Sequence, residues 1–168
     1  MTRTTAANAK DPKLAKPKRA DGQMTGLAGE LFVAAELLKR GLQTSVTFGN
    51  AKAIDLFAFN PTTKRTFTVQ VKALRKKTYF PISHERVEAQ HVYVFALLNK
   101  PGESVNYFVV PGAELVNDPK RFGKWFLDAK FPGIHPNSLN DFAEGWHVFD
   151  EPTRYLLNSA TGLIGRRS

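Results

Sequence analysis

Cysteine is missing from the 168-residue chain, which excludes disulfide bonds and thiolate zinc sites. No stretch of about 18 uninterrupted apolar residues occurs, so the sequence predicts no membrane span. The N-terminus also lacks the apolar stretch of a secretory signal. These absences predict a cytoplasmic protein. An organellar transit peptide is the alternative, because no acidic residue precedes Asp11.

Motifs of several common enzyme classes are missing as well. There is no glycine-rich phosphate loop followed by a lysine, which disfavours nucleotide hydrolysis. There is no Gly-x-Ser-x-Gly sequence, so a serine-hydrolase nucleophile is unsupported. The four histidines do not have the spacing of a helical zinc site. Little in the sequence suggests chemistry apart from one group of carboxylate, amide and lysine residues.

Acidic residues are scarce relative to basic ones. Lys and Arg number 24 and Asp and Glu number 15, which gives a formal net charge of +9. Such a charge favours polyanionic partners, above all nucleic acid, because binding releases counterions from the phosphates. The alternative is a soluble basic protein that has no such partner.

The composition predicts one globular domain preceded by an arm. Apolar residues make up 42% of the chain, and its length is sufficient for a sizeable core. Residues 1–22 are basic and poor in apolar side chains, so this arm is predicted to be disordered. The arm either contacts phosphates or serves as a solubilising tail. Residues 23–168 are predicted to form a single domain.

Helical spacing of apolar residues predicts a first helix over Thr25–Arg40. Thr25 is its expected N-cap, and Gly41 is expected to end it. The predicted apolar face consists of Leu27, Leu31, Ala34, Ala35 and Leu38. Glu30 lies at the edge of this face, where a carboxylate is costly unless it has a partner. Glu30 is therefore either part of a functional site or a salt-bridged residue at the helix rim.

Short apolar runs between turn residues predict a series of strands after this helix. The predicted strands are Gln43–Phe48, Ala53–Phe59, Thr66–Lys72, Val92–Leu98 and Val105–Val110. Short helices are predicted over His84–Gln90, with Ser83 as the cap, and over Ala113–Val116. A last helix or strand is predicted at Tyr155–Asn158. This order of elements predicts an α/β fold with a central mixed sheet flanked by helices.

The second and third predicted strands form a hairpin through the turn Asn60–Thr63. Because strand residues alternate between faces, Gln70 and Lys72 are predicted to share one side, while the valines between and before them face the core. The hairpin can bring Asp55, 15 residues before Gln70, close to this pair. Asp55, Gln70, Lys72 and the helix residue Glu30 are therefore the candidate catalytic residues.

These residues offer oxygen ligands of the kind that a hard divalent cation, Mg²⁺ or Mn²⁺, prefers. Asp55 supplies a carboxylate, Gln70 a neutral carbonyl, and Glu30 a second carboxylate. The backbone carbonyl of Val71 is a further candidate ligand. Such a cation would polarise a phosphate and lower the pKa of a bound water. Lys72 would orient or deprotonate that water, or neutralise charge in the transition state.

Four short motifs carry a family resemblance. They are Gly26-Leu27-Ala28-Gly29-Glu30, Gly41, Ile54-Asp55 and Val69-Gln70-Val71-Lys72-Ala73. Together they resemble the PD-(D/E)XK nuclease superfamily, which includes restriction endonucleases, Holliday-junction resolvases and some homing endonucleases. The resemblance maps Asp55 to the first acid, Gln70 to the second acidic position and Lys72 to the lysine. It maps Glu30 to the helix carboxylate of resolvase-like members.

The resemblance implies a restriction-endonuclease-like fold and a metal-dependent endonuclease that hydrolyses phosphodiester bonds in DNA. It also implies a homodimer, because cutting both strands usually requires two sites. Two residues depart from the family pattern: Ile54 replaces the proline, and Gln70 replaces the acid, which makes this a QxK variant. A neutral Gln70 removes one negative charge from the metal site. A catalytically inactive DNA-binding protein on the same fold is therefore the alternative, and a basic RNA-associated protein is a further one.

Three consecutive basic residues, Arg75, Lys76 and Lys77, follow the proposed catalytic strand. They are expected to bind the phosphate backbone of DNA beside the scissile bond. Tyr79 and Phe80 come next, and they either stack on bases or belong to the core.

Overall fold

The computed structural model describes residues 20–47 and 54–150, with side chains from residue 22 onward. Its elements in this part of the chain are α1 (Ala20–Lys39), β1 (Gln43–Val46), β2 (Leu56–Asn60), β3 (Arg65–Leu74), β4 (Phe80–Pro81), β5 (Val92–Leu97), β6 (Asn106–Pro111), α2 (Gly112–Asn117) and β7 (Gly133–Ile134). Short 3-10 helices lie at His84–Arg86, Pro119–Phe122, Lys124–Leu127, Pro136–Phe142 and Trp146–Phe149. The predictions for residues 1–19, for Phe48, for Ala53 and for Tyr155–Asn158 fall outside the described residues.

Five of the strands form one mixed sheet in the order β1-β2-β3-β5-β6. β2 and β3 are an antiparallel hairpin with Leu56 opposite Val69, and β3 runs parallel to β5 with Gln70 beside Tyr93. The pairs β1–β2 and β5–β6 are antiparallel. β4 and β7 form a separate two-stranded sheet. The predicted α/β fold with a central mixed sheet is confirmed.

The side chain of Asn60 builds the predicted turn between β2 and β3. Its Oδ1 atom accepts hydrogen bonds from the N–H groups of Thr62 and Thr63 at 2.9 and 3.1 Å. This local bonding is the reason that asparagine favours turns. Its Nδ2 atom donates to the carbonyl of Phe149 at 2.9 Å, so the same side chain ties the hairpin to the last 3-10 helix.

α1 starts earlier than the sequence predicts. It begins at Ala20, so the prediction of Thr25 as its N-cap is wrong. No proline interrupts residues 20–25, and the helix therefore continues through Thr25 towards its N-terminus. The hydroxyl of Thr25 instead accepts a hydrogen bond from Arg75 Nε at 2.8 Å. This contact joins α1 to the segment that follows β3.

The predicted end of α1 at Gly41 is confirmed. Gly41 has a φ of +84°, a left-handed conformation that glycine adopts without a steric cost. The N–H groups of Gly41 and Leu42 donate to the carbonyls of Leu38 and Leu37 at 2.9 and 3.1 Å. This pair of bonds is a Schellman motif, and it turns the chain directly into β1.

The predicted buried face of α1 is wrong in most of its members. The exposed ones are Leu27, Leu31, Ala35 and Leu38. The residues buried against the sheet are Gly29, Val33, Ala34 and Leu37. Both sides of this helix are apolar, so helical periodicity alone does not select the packed one. The packed side is the one on which the helix can approach the sheet closely. This side carries Gly29, where an added Cβ atom would collide with the Cβ atom of Ala73 in β3.

The sheet separates two apolar clusters. The cluster on the α1 side includes Val33, Leu37, Leu56, Val69, Val71, Trp146 and Phe149. The cluster on the opposite side includes Phe80, Ile82, Tyr93, Phe95, Phe122, Phe126 and Ile134. Tyr93 and Phe95 are the register neighbours of Gln70 and Lys72 on β5. The predicted separation of the β3 valines from Gln70 and Lys72 is therefore confirmed.

The helix predicted over His84–Gln90 is mostly absent. Only His84–Arg86 is helical, as a 3-10 turn, and Ser83 makes no side-chain cap. The N–H of Glu88 donates to the hydroxyl of Tyr93 at 2.9 Å, a tertiary bond that replaces the one a continuing helix would make. α2 contains the predicted helix Ala113–Val116.

Across residues 20–47 and 54–150, none of the helices has the length and apolar content that a bilayer crossing needs.

Candidate active site

Asp55 directly precedes β2, and its backbone is hydrogen-bonded to residues on either side of it in the sheet. Its carbonyl accepts from the N–H of Thr47 at 3.0 Å, and its N–H donates to the carbonyl of Val69 at 3.0 Å. Val69 is also the register partner of Leu56, so two consecutive residues face one residue of β3. This two-to-one arrangement resembles a β-bulge, which re-aims a side chain relative to the regular ladder.

The carboxylate of Asp55 is directed against the backbone of β3. Its Oδ2 atom accepts a hydrogen bond from the N–H of Val71 at 2.7 Å, which is the peptide group that joins Gln70 to Val71. Within a strand the N–H and C=O of one residue point towards the same neighbouring strand. The Val71 carbonyl is therefore directed to the side that Asp55 occupies. A carboxylate has a second oxygen with which it can bind a cation.

Gln70 and Lys72 line a cleft of about 910 Å³ on the sheet face away from α1. Tyr93 of β5 lies beside them, and residues from two further segments, 81–88 and 129–132, supply the rest of the lining. Glu30 and Asp55 are outside this lining, and they approach β3 from the side of α1 and β2. β3 therefore presents Lys72 to the cleft and the Val71 backbone to Asp55.

The carboxylate of Glu30 interacts electrostatically with Asp55 and with Lys72. α1 crosses β3 closely at Gly29, which brings the neighbouring Glu30 to the same strand. Partial burial raises the pKa of Glu30, and the nearby carboxylate of Asp55 raises it further. The ammonium group of Lys72 acts in the opposite direction and lowers this pKa. Two carboxylates that repel one another beside a lysine are typical of functional sites.

The donor types at this site fit a hard divalent cation. The carboxylates of Glu30 and Asp55 and the Val71 carbonyl are oxygen ligands of the kind that such ions prefer. Gln70, the remaining predicted ligand, lines the cleft on the other face of the sheet. A cation would also relieve the repulsion between the two carboxylates, which contributes to the raised pKa of Glu30. Among the described residues, no group of three or more His, Cys, Asp or Glu is arranged to hold a metal ion. A metal ion held by Glu30 and Asp55 would need neutral oxygen atoms as its further ligands.

The three predicted DNA-binding residues follow the end of β3 directly. Arg75, Lys76 and Lys77 are all exposed. Arg75 is tied to α1 through its bond to Thr25, whereas Lys76 and Lys77 lie in the turn that leads to β4. Exposed cations grouped in this way can contact the phosphates of a nucleic acid.

The far wall of the cleft was not predicted from the sequence. The charged and aromatic side chains that line it are Glu85, Arg86, Glu88, Lys130 and Phe131. The pairing of β4 with β7, in which Phe80 opposes Ile134, brings these residues near β3. Each of these strands has only two residues, so no periodic pattern signals their pairing. The one local signal is the sequence Lys130-Phe131, a cation beside an aromatic residue.

The fold and the site together define a mixed α/β domain with carboxylates and a lysine gathered at one strand of its sheet. Among solved structures, the chain is similar to the bacterial homing endonuclease I-Ssp6803I, with 17% sequence identity and a TM-score of 0.51. The match covers 76% of this chain and 91% of that chain. At this identity the likeness concerns the fold. Protein-family models give no match, and neither do curated protein sequences.

The Glu30 carboxyl gives a first prediction, because its raised pKa has a definite sign. A raised pKa means that the folded protein binds this proton more tightly than the unfolded chain. The charged carboxylate therefore destabilises the fold. This penalty is absent well below the ordinary pKa of a glutamate side chain, grows as the pH rises to the pKa of Glu30 in the folded protein, and is constant above it. Glu30→Gln is expected to raise the melting temperature by about 1–3 °C at pH 7.5 in EDTA.

Differential scanning calorimetry in EDTA measures this effect, and repeating it at about pH 3.5 provides the comparison. At this lower pH the gain should nearly vanish, because Glu30 is then mostly protonated in both the folded and the unfolded protein. Glu36→Gln, a substitution in the same helix, serves as the control and should not gain stability in this way. A loss of stability on Glu30→Gln at pH 7.5 would mean that Glu30 is held by a favourable ion pair.

Proposed function

We propose that this protein is a metal-dependent DNA endonuclease of the PD-(D/E)XK type, in the QxK variant. The observation that carries the proposal is the convergence on β3 of Asp55, bonded to the Val71 N–H, with Lys72 and with Glu30 in electrostatic range of both. The fold of a bacterial homing endonuclease and the net charge of +9 support DNA as the substrate. Mg²⁺ or Mn²⁺ is the proposed cofactor.

Each residue has a distinct part in the proposed hydrolysis. Asp55 and Glu30 would hold the cation, together with the Val71 carbonyl and the Gln70 amide. The bound ion supplies Lewis-acid activation of the phosphate and lowers the pKa of a water. Lys72, on the cleft side of β3, would stabilise the negative charge that develops on the phosphate or orient the attacking water. Arg75, Lys76 and Lys77 would bind the flanking backbone.

A cleavage assay tests this proposal directly. Purified protein is incubated with supercoiled plasmid, a branched four-way junction or single-stranded DNA, each in Mg²⁺, Mn²⁺ or EDTA. At least one DNA form is expected to be cut in the presence of metal and to remain intact in EDTA. If no form is cut with either ion, the enzymatic proposal is wrong.

The alternative function is a catalytically inactive DNA-binding protein on the same fold. The observation in its favour is Gln70, which leaves only two carboxylates, Glu30 and Asp55, at the candidate metal site. In that case the protein would bind DNA with a steep dependence on salt. Titration calorimetry would then detect no binding of Mg²⁺ or Mn²⁺. Metal binding together with cleavage would exclude this alternative.

A substitution at Gln70 gives a second prediction. If Gln70 is a ligand, Gln70→Glu should bind Mn²⁺ roughly tenfold more tightly, because a carboxylate binds hard cations more strongly than a neutral amide. Titration calorimetry of the metal with the free protein measures the change without reference to activity. Gln43→Glu, at an exposed position of β1 outside the cleft lining, is the control. Equal metal affinity in the wild type and in Gln70→Glu would remove Gln70 from the ligand set.

The homodimer implied by the family resemblance has a candidate surface on α1. Five exposed apolar residues of this helix form a stripe, which we name the α1 stripe; its members are Met24, Leu27, Leu31, Ala35 and Leu38. Phe32 is exposed as well, next to Leu31 in the chain. Met24 and Leu38 lie seven residues on either side of Leu31, and Leu27 and Ala35 lie four residues on either side. A two-fold axis at Leu31 would thus match the stripe with itself in an antiparallel helix pair. Self-complementarity of this kind is what a two-fold interface requires.

The third prediction follows from this symmetry. Leu31→Glu places two like charges against each other at the proposed axis, so it should convert a dimer into a monomer. Sedimentation velocity at several protein concentrations measures the change, and circular dichroism checks that the fold is retained. Val116→Glu, at an exposed apolar position on α2, should leave the dimer intact. A monomeric wild-type protein at all concentrations would contradict the dimer.

A further inference from the structure

Phe131 is the most exposed large apolar side chain of the described residues, and it lies at the cleft that also holds Lys72. Its exposed fraction is 69%, and it lines the cleft together with Gln70 and Lys72. The ammonium group of Lys130 lies 5.4 Å from the centre of the Phe131 ring. An exposed aromatic ring paired with a cation is the combination with which proteins bind a stacked base and its phosphate.

Local hydrogen bonds hold Phe131 in this exposed position. The Oδ1 atom of Asp128 accepts from the N–H groups of Lys130 and Phe131 at 2.9 and 2.6 Å. We name residues 128–132 the Asp128 turn. A turn that is ordered by its own side chain loses less entropy when a ligand binds than a loose loop does.

Buried residues anchor the Asp128 turn on both sides. Phe126 precedes it and Ile134 follows it, and both are fully buried in the second core cluster. β7 then pairs with β4, which follows β3 and the basic segment in the chain. A Cβ atom at Gly133 would approach the Phe80 carbonyl to 3.0 Å, so the two strands are closely packed here. The turn is therefore held in a fixed position relative to Lys72.

We infer that Phe131 stacks on an unpaired base of the DNA bound in this cleft and that Lys130 contacts the adjoining phosphate. The inference rests on the proposed function and adds to it a residue that positions the substrate. The cleft lining carries three cations, Lys72, Arg86 and Lys130, and two carboxylates, Glu85 and Glu88, a formal excess of one positive charge. The net charge of +9 over the whole chain then favours nucleic acid as the occupant. Stacking is tolerant of base identity, so Phe131 would fix the strand without reading its sequence.

DNA binding in EDTA measures this contribution while the DNA remains uncut. Phe131→Ala is expected to weaken binding of a pool of random single-stranded 30-mers by roughly 5- to 150-fold, the range measured for loss of one stacked base. The salt dependence of binding should be unchanged, because no charge is removed. Leu127→Ala, at an exposed apolar position of the same region outside the cleft lining, should bind within about twofold of wild type.

A tryptophan at position 131 reports stacking itself. Phe131→Trp should keep wild-type affinity, and the single-stranded DNA should quench its added fluorescence as the base stacks on the indole. Leu127→Trp should show no such quenching. The stacking inference would be overturned if DNA does not quench the fluorescence of Phe131→Trp and if Phe131→Ala binds DNA as tightly as the wild type. That result would leave the proposed nuclease function intact. Absence of any DNA binding by the wild-type protein would overturn both.

Discussion

Replacing Lys72 with alanine is expected to lower the rate of DNA cleavage by a factor of about 10²–10⁴, while DNA affinity stays within about threefold. Lys72 lies on the cleft side of β3 and lowers the pKa of Glu30, so its charge acts within the proposed site. Many other cations share the contacts to DNA in the ground state, because the chain carries 24 Lys and Arg residues. Loss of Lys72 should therefore lower the rate of cleavage far more than it weakens DNA binding.

Single-turnover cleavage and fluorescence anisotropy measure the two quantities separately. Lys76→Ala is the matched control, since it removes one exposed cation four residues away. It should weaken DNA binding slightly and reduce the salt dependence of binding, with little effect on the single-turnover rate. If Lys72→Ala loses binding and cleavage in parallel, Lys72 serves to dock DNA and not to stabilise the transition state.

The hairpin and its residues were predicted from the sequence because two local signals agree there. Alternation along β3 places Val69 and Val71 in the core and Gln70 and Lys72 on the other side. Asn60 marks the turn by its own hydrogen bonds. Both signals depend on neighbouring residues in the chain. The position of Asp55 beside Val71 depends also on the bulge-like pairing with Val69, which no local pattern indicates.

Local sequence patterns do not predict which side of α1 is packed or which residues form the far wall of the cleft. Leu31 and Leu37 are equally apolar, and the close contact of Gly29 with Ala73, on another element, decides which is buried. Phe131 reaches the cleft only because β7 pairs with β4. In both cases the deciding contact joins residues that are distant in sequence.

α1 connects the proposed dimer surface to the proposed metal site. Glu30 approaches Asp55 and Lys72, and the next residue, Leu31, is exposed at the centre of the α1 stripe. Successive residues of a helix are about 100° apart, so one helix can serve both surfaces. Pairing of two copies would then fix the orientation of Glu30 in each site. Metal affinity is accordingly expected to fall in a monomeric variant.

Asp55 gives the prediction that best separates structure from chemistry, because its carboxylate has two separable roles. One role is to accept the hydrogen bond from the Val71 N–H at 2.7 Å, and the other is to carry charge for the metal. Asp55→Asn keeps an oxygen acceptor for the Val71 N–H but removes the charge. Asp55→Ala removes both, and it leaves the Val71 N–H without its partner, which costs about 1–3 kcal/mol when the group is shielded from water.

Both variants are therefore expected to lose cleavage by about a thousandfold or more, equivalent to the several kcal/mol that a metal ion contributes to the transition state. Their stabilities should differ. Asp55→Asn should melt at or slightly above the wild-type temperature in EDTA, because the repulsion of Glu30 by Asp55 is also removed. Asp55→Ala should melt several degrees below Asp55→Asn. Wild-type cleavage by Asp55→Asn would show that this residue only supports the hairpin, and the metal site would then have to lie elsewhere in the chain.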